Sequence, residues 1–248
     1  NEMATTSVKT FSLEETQRYA ASIYDPARMV QSFAGVSGSG EDIGNEIVIR
    51  GNSPRGILWR MEGVDVPNPN HFVNPASSGG GVSMMSASTL SNSEFYTGAF
   101  PAEYGNALAG VFDINLRTGN NEKREYAFML GALGTEISLE GPFSKDSKAS
   151  YLINYRYSTL AILKPFLADF LGDFTPKYQD LTFKIKIPTE KYGIFSLFGL
   201  GGINDISNDE IDILWKYEEH TAHLKANLQS YDFTLKVKNG YVSKTNFS

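Results

Sequence analysis

From about position 125 onward, apolar and polar residues trade places along the chain with a period of two. Leu181, Phe183, Ile185 and Ile187 alternate with Thr182, Lys184 and Lys186, and Tyr231, Phe233, Leu235 and Val237 alternate with Asp232, Thr234, Lys236 and Lys238. Ile137 and Leu139 oppose Glu136 and Glu140, while Tyr151, Ile153, Tyr155 and Tyr157 oppose Asn154 and Arg156. Successive side chains of a strand point to opposite faces, so this pattern predicts an antiparallel sheet with one apolar and one polar face.

The first half has a different rhythm. Ser12-Leu13-Glu14-Glu15 has the spacing of a capping box and predicts a helix to about Ile23. Asp25-Pro26 predicts a second helix, with Asp as N-cap, Met29, Val30 and Phe33 on one face, and Gly35 as its stop. Val36 to Gly40 lacks the spacing of a nucleophile turn and reads as a loop. Short β-branched runs at Ile47–Arg50, Gly56–Met61, Glu94–Tyr96 and Val111–Leu116 read as strands, and Val82–Leu90 as a short helix.

Between Pro67 and Gly81 periodicity disappears. Pro67, Pro69 and Pro75 are interleaved with Asn68, Asn70 and Asn74, and the stretch ends in Gly79-Gly80-Gly81. Such a loop is long for a passive connector. Its glycine run is no phosphate loop, because no Gly-Lys-Ser/Thr follows. A polar turn at Thr118–Arg124 separates the two halves, giving an α+β domain over 1–120 and an antiparallel sheet over 121–248.

Composition narrows the function classes. The chain has 22 basic and 28 acidic residues, net charge −6, which argues against a general nucleic-acid surface. It has no cysteine, so thiolate metal sites and thiol catalysis are excluded. No nucleophile–base pair, carboxylate dyad or cofactor motif stands out by spacing, and an enzyme is not expected. His220 and His223, beside Glu218 and Glu219, lack a third ligand set. Asn208-Asp209-Glu210-Ile211-Asp212 lacks the calcium-loop spacing and reads as a solvated outer loop.

No run approaches the roughly 20 apolar residues of a membrane helix, which does not bear on a barrel. The alternating half fits either a soluble two-sheet protein or a membrane barrel. Three apparent short turns are bracketed by aromatics: Phe143 and Tyr151, Tyr192 and Phe195, and Tyr241 and Phe247 around Val242–Thr245. The intervening connections, Ala161–Lys177 and Ile203–Tyr217, read as long loops. Aromatic-edged short turns at one rim and long loops at the other point to the barrel.

The pieces Phe33-Ala34-Gly35-Val36, Ile47-Val48-Ile49-Arg50-Gly51, Glu62-Gly63-Val64 and Phe95 through Tyr104-Gly105 to Leu116 come in an order and spacing that resembles the plug domain of TonB-dependent outer-membrane receptors. Ser138–Phe143 followed by Tyr151–Arg156 is similar to that family's first barrel hairpins. The resemblance implies an α+β plug domain followed by antiparallel β-strands of a transmembrane β-barrel of about 22 strands, of which six or seven are present, so the sequence reads as part of a longer chain.

It further implies a Gram-negative outer-membrane protein whose plug gates uptake of a metal chelate, vitamin, glycan or peptide, with the TonB complex and outer-membrane lipid as partners and no cofactor. On that reading Arg50 and Glu62 form plug–wall ion pairs. Glu136, Glu140, Arg156, Lys184 and Lys186 face the lumen. Asn68, Asn70, His71, Phe72 and Asn74 of the apical loop 67–81 contact ligand. Each has a plainer alternative: a solvated arginine, an ordinary polar face, and asparagines bonded to their own loop.

The sequence departs from the family at three places. No TonB-recruiting segment is recognisable before Phe11, Thr97 stands where many relatives have arginine, and Glu62 where aspartate is commoner. The plug also lacks the Thr-Lys-Lys-Gly-like finish of the glycan importers. A soluble or surface β protein that binds glycans, and a receptor used mainly for signalling, are the alternative functions.

Overall fold

The computed structural model describes residues 8–11, 25–38, 44–73, 78–131, 134–145, 147–159, 161–162, 176–208, 211–228 and 231–247, with backbone alone from 206 onward. The chain forms two compact units, Asn1–Arg117 and Thr118–Ser248.

In the first unit, β1 (Val8–Phe11), β4 (Ile57–Met61), β5 (Val64–Val66), β8 (Ser93–Tyr96) and β9 (Gly110–Ile114) form a mixed sheet in the order β1-β8-β9-β4-β5. All neighbours are antiparallel except β4 and β9. Two small ribbons complete it: β2 (Val36–Gly38) with β3 (Ile47–Ile49), and β6 (Asn70–His71) with β7 (Val82–Ser83).

Strand alternation sorts this sheet into two faces. Phe95, Phe112 and Trp59 are cross-strand neighbours on one face, with Trp59 stacked on Phe112 at 4.2 Å and Phe95 tilted against it at 4.5 Å. Phe11 closes the cluster edge-on at 6.3 Å. Burial of each ring contributes roughly 1.5–3 kcal/mol, which makes this the unit's core. Helix α1 (Pro26–Val30) has Asp25 as N-cap and Pro at its start, with Ala27, Met29 and Val30 buried. The helix ends with its C-cap on Gln31, short of the expected stop at Gly35, which at φ +80° instead turns the chain into β2.

Two local expectations change. Val36–Gly38 is a strand, because Val36 and Gly38 pair with Ile49 and Ile47. Val82–Leu90 is not a helix but β7 followed by a 3₁₀ turn, Ala87–Thr89, capped by Ser86. The Ser83 and Ser86 hydroxyls accept from the backbone N–H groups of Met85 and Ser88 and compete with helix. The helix expected from Ser12 lies outside the described residues.

The second unit is one antiparallel sheet of seven strands in chain order: β10 (Glu125–Leu130), β11 (Gly134–Pro142), β12 (Ser150–Ser158), β13 (Lys177–Thr189), β14 (Gly193–Asn208), β15 (Ile211–Leu228) and β16 (Tyr231–Phe247). Its connections correct the turn assignment. Tyr241–Phe247 lies within β16, which pairs with β15 from Leu228↔Tyr231 to Ile213↔Phe247, so these residues belong to a strand and not to a turn. The acidic stretch Ile203–Tyr217 is strand up to Asn208 and again from Ile211. It contains no proline and no glycine to break pairing, so a hairpin extends where a loop was expected. Most of 161–177 lies outside the described residues.

The wall sheet is inside out relative to a soluble one. Tyr126, Phe128 and Leu130 are 72, 68 and 70% exposed, and Ile137, Tyr155, Leu181 and Ile187 are also exposed. On the opposite face Glu136, Arg156, Asp180 and Lys184 are 9% exposed or less. A sandwich in water buries the apolar set, so the soluble two-sheet reading fails for these strands.

Candidate functional site

Three of the residues singled out from sequence share an uncommon backbone. Arg50, Glu62 and Phe72 have φ of 51°, 51° and 58°. Non-glycine residues in this region cost energy and are held there by their surroundings. Arg50-Gly51 and Glu62-Gly63 are the central pairs of two tight turns, with Gly51 and Gly63 also at positive φ.

Arg50 lies at the end of β3, its N–H bonded to the Gly35 carbonyl at 2.8 Å. Its side chain is exposed and runs past two glycines, where a Cβ on Gly35 would be 3.5 Å from Cγ and a Cβ on Gly98 3.5 Å from Nη1. Among the described residues no carboxylate pairs with it. Glu62 joins β4 to β5 and is tied within its own unit: its N–H bonds the Ile114 carbonyl at 2.9 Å and its Oε1 accepts from Leu116 N at 2.7 Å. The turn is thereby clamped to the end of β9.

The loop is organised from inside. Asn68 Nδ2 donates to the Gly79 carbonyl at 2.9 Å, and Asn70 Nδ2 donates to Asn68 Oδ1. Asn45 Nδ2 donates to Asn70 Oδ1 at 2.6 Å, and Trp59 Nε1 reaches the Ser78 carbonyl at 3.2 Å. Asn70 and His71 are fully buried, so their side chains shape the loop rather than lie open to a ligand. Phe72 is half-buried beside the His71 ring at 6.0 Å. Asn74 lies outside the described residues.

The glycine run closes this loop. A Cβ on Gly79 would strike the Glu46 backbone, and one on Gly80 the His71 carbonyl oxygen. Bare backbone is the only thing that fits between β3 and β6 here.

On the other face of the first sheet, one row crosses all five strands: Thr10, Glu94, Asp113, Arg60 and Asp65. Tyr104 covers it. Its hydroxyl donates to Asp113 Oδ2 at 2.7 Å, its ring packs on Tyr96 at 5.1 Å, and the Arg60 guanidinium sits 5.0 Å over it. Arg60 also approaches Glu103 at 3.6 Å and Asp65 at 3.8 Å. Burial holds the Asp113 carboxyl above the usual aspartate range, against the lowering effects of the Tyr104 hydrogen bond and Arg60. Burial and the bond to Glu94 push the Tyr96 phenol up to about 12. Sequence reading took Tyr104 as a packed ring and missed its carboxylate partner, 9 residues away.

In the second unit, the five residues expected on one polar face do share one. Glu136 is opposite Arg156, Glu140 opposite Leu152, and Lys184 and Lys186 opposite Leu152 and Ser150. The structure adds Asp180, whose Oδ2 accepts from Arg156 Nη2 at 2.8 Å and Nε at 3.1 Å. The guanidinium also lies 5.4 Å over the Tyr178 ring. Asp180 shares the even-numbered phase of Lys184 and Lys186, a signal present in the sequence. His220 and His223 lie within the strand β15, where the helical proximity a metal pair would use does not exist. Among the described residues no group of three or more potential ligands is placed to hold a metal. No described helix is long and apolar enough to cross a membrane.

Residues 1–111 match the family model described as TonB-dependent Receptor Plug Domain. No curated protein matches the chain in sequence. Among solved structures, the siderophore receptor PirA from Pseudomonas aeruginosa superposes with TM-score 0.62 at 14% identity, over 91% of this chain and 38% of that one. P. aeruginosa FpvA, bound to a heterologous pyoverdine with iron, gives TM-score 0.64 at 12% identity, over 96% and 34%. The copper transporter OprC gives 0.59 at 14% identity, over 90% and 35%. The chain thus spans well under half the length of these structures. The plug match and the inverted sheet point the same way: residues 1–111 are similar to the plug domain of TonB-dependent receptors, and the antiparallel strands that follow have the fold seen in these receptor structures.

Proposed function

We propose that this chain is the gate and leading wall of an outer-membrane receptor that imports a scarce ligand with energy delivered by TonB. The observation that carries the reading is the wall sheet, whose apolar face is open and whose polar face is buried. Strands so arranged are stable with lipid on one side and a polar interior on the other. The plug blocks that interior at rest, and contact with TonB opens it.

On this reading Arg50, exposed on a strained turn, reaches wall carboxylates and holds the plug in register. Glu62 sets the neighbouring turn. Glu136, Glu140, Arg156, Lys184 and Lys186 face the lumen. Phe72 is the loop residue best placed to meet ligand, with the buried Asn70 and His71 behind it. A metal chelate is the first ligand to test, because the solved neighbours are named for siderophore, pyoverdine–iron and copper.

The test uses the full-length protein in a Gram-negative host. It should fractionate with the outer membrane, shift mobility on heating before electrophoresis, and support TonB-dependent accumulation of a radioiron-labelled catecholate or hydroxamate chelate. Recovery as a freely soluble periplasmic monomer would sink the proposal. Membrane localisation with TonB-independent iron uptake would limit the protein to another cargo.

A further inference from the structure

The register of the second sheet collects lysines from three strands onto one face. One cross-strand row runs Lys184, Phe198, His223 and Lys236 over β13 to β16. The row on the side of the 189–193 turn is Lys186, Ser196, Lys225 and Thr234. The row on the other side is Thr182, Leu200, Thr221 and Lys238. Opposed residues of an antiparallel pair share a face, so these lysines and His223 all belong to the face of Lys184. No Asp or Glu occupies any of these positions, in a chain whose net charge is −6. The acidic residues begin only in the next row, with Asp180 and Glu219.

Neighbouring strands are about 4.8 Å apart and residues two apart on a strand about 7 Å, so the three rows fit within roughly 15 Å. Like charges at that density repel one another. Lys184 is only 7% exposed, where a positive charge costs far more than in water. Beside it the Thr182 hydroxyl is fully buried and has no hydrogen-bond partner among the described residues. A buried unsatisfied hydroxyl next to a band of positive charge calls for an oxyanion, which accepts from both.

We propose that this band binds a small polyanion through its carboxylate or phosphate oxygens. That such an anion is the imported cargo rests on the receptor reading above; the binding itself does not. A lysine suits the task because it is a point charge with three donors on a flexible stem, able to follow an anion without fixing its shape. The rows interleave the lysines with Ser196, Thr221 and Thr234, residue types that donate to the same oxygens. An uncharged cargo would leave the repulsion along this wall uncompensated.

Equilibrium dialysis of the full-length protein in non-ionic detergent, with radiolabelled citrate and pyrophosphate as probes, tests it. At least one probe should bind saturably at low ionic strength and be released near 1 M salt, where the screening length falls to about 3 Å. Lys225→Gln with Lys236→Gln should weaken that binding about tenfold or more, the scale of one lost charge-assisted hydrogen bond. Lys225→Arg with Lys236→Arg should keep it. Lys216 and Lys244 oppose each other on the other face of the same two strands. Lys216→Gln with Lys244→Gln therefore removes equal charge and should leave binding unchanged. If the first glutamine pair loses the heat-dependent mobility shift of folded protein, Lys238→Gln alone makes the same comparison. Preference for pyrophosphate assigns phosphate as the recognised group, and preference for citrate assigns carboxylate. No saturable binding of either probe overturns the proposal, and so does an equal loss in both glutamine pairs. Binding in micelles needs neither TonB nor a membrane. A protein that binds a probe but fails to reach the outer membrane would defeat the receptor reading alone, and one that imports but binds neither would defeat this proposal alone.

Discussion

Arg156 and Asp180 face each other across β12 and β13, joined by two hydrogen bonds of 2.8 and 3.1 Å from one guanidinium to one carboxylate oxygen. Both are buried. Removing one partner strands a buried charge, which costs about 3–5 kcal/mol, whereas replacing both with apolar residues is far milder. Asp180→Ala in the full-length protein should therefore lower the temperature of heat-induced mobility loss strongly. Arg156→Met with Asp180→Leu should recover most of it. Equal losses in the single and double variants would mean that the pair is not the source.

The Tyr104–Asp113 pair makes a pH prediction. The folded pKa of Asp113 is raised, mainly by burial. The unfolded chain therefore loses this proton at a lower pH than the folded one. The stabilisation from a protonated Asp113 is complete below the ordinary aspartate value and is lost as pH climbs through the raised folded value. Asp113→Asn should remove that decline, so the melting-temperature difference between variant and wild type should move in favour of the variant with rising pH. Tyr104→Phe should raise the Asp113 pKa further, because the hydroxyl bond lowers it.

Two glycines separate close packing from mere sequence prominence. A Cβ at Gly80 meets the His71 carbonyl oxygen, but a Cβ at Gly105 meets nothing within 4 Å. Gly80→Ala should cost roughly 1–3 kcal/mol, as overpacking does. Gly105→Ala should be close to neutral. Thermal unfolding of the two variants, measured side by side, checks the ordering.

Phe128 tests the membrane face. It is 68% exposed and paired with Ile137 on β11. Arginine at a mid-membrane, lipid-facing position costs about 2–4 kcal/mol. Phe128→Arg should reduce outer-membrane assembly several-fold, while Ala127→Ser on the opposite face should not. Normal assembly of Phe128→Arg would place that face away from lipid.

Arg50 tests the latch. Its side chain is exposed and lies along Gly35 and Gly98 without contributing to the core. Arg50→Ala should change stability by under about 0.5 kcal/mol, as ordinary surface changes do. If it holds the gate, the variant should also admit large antibiotics that the wild type excludes, read as a drop in inhibitory concentration. Unaltered antibiotic sensitivity would return Arg50 to the solvated reading.

Local patterns were readable wherever one face of an element is chemically distinct. The Asp25-Pro26 start of α1, strands β3, β4, β8 and β9, and the alternation of β11 to β13 all follow from short-range spacing. The errors have equally local causes. Tyr241 and Phe247 looked like turn markers because aromatic residues flank turns elsewhere, yet Phe247 pairs with Ile213 and Tyr241 falls at a bulge within β16. The acidic segment after Ile203 looked like a loop because charge is commoner in loops, yet backbone pairing continues to Asn208.

The sequence by itself determined the two-part organisation and the polar and apolar phases of the wall strands. These depend on neighbours within a few positions, where spacing dictates which side chains share a face. Tertiary structure alone decided which phase is buried, since a period of two is identical in water and in lipid. It also decided that Asn70 serves Asn45, that Tyr104 serves Asp113, and that Gly79 and Gly80 exist to let backbones touch. Those partners are brought together by long-range packing, and no local pattern encodes the distance between them.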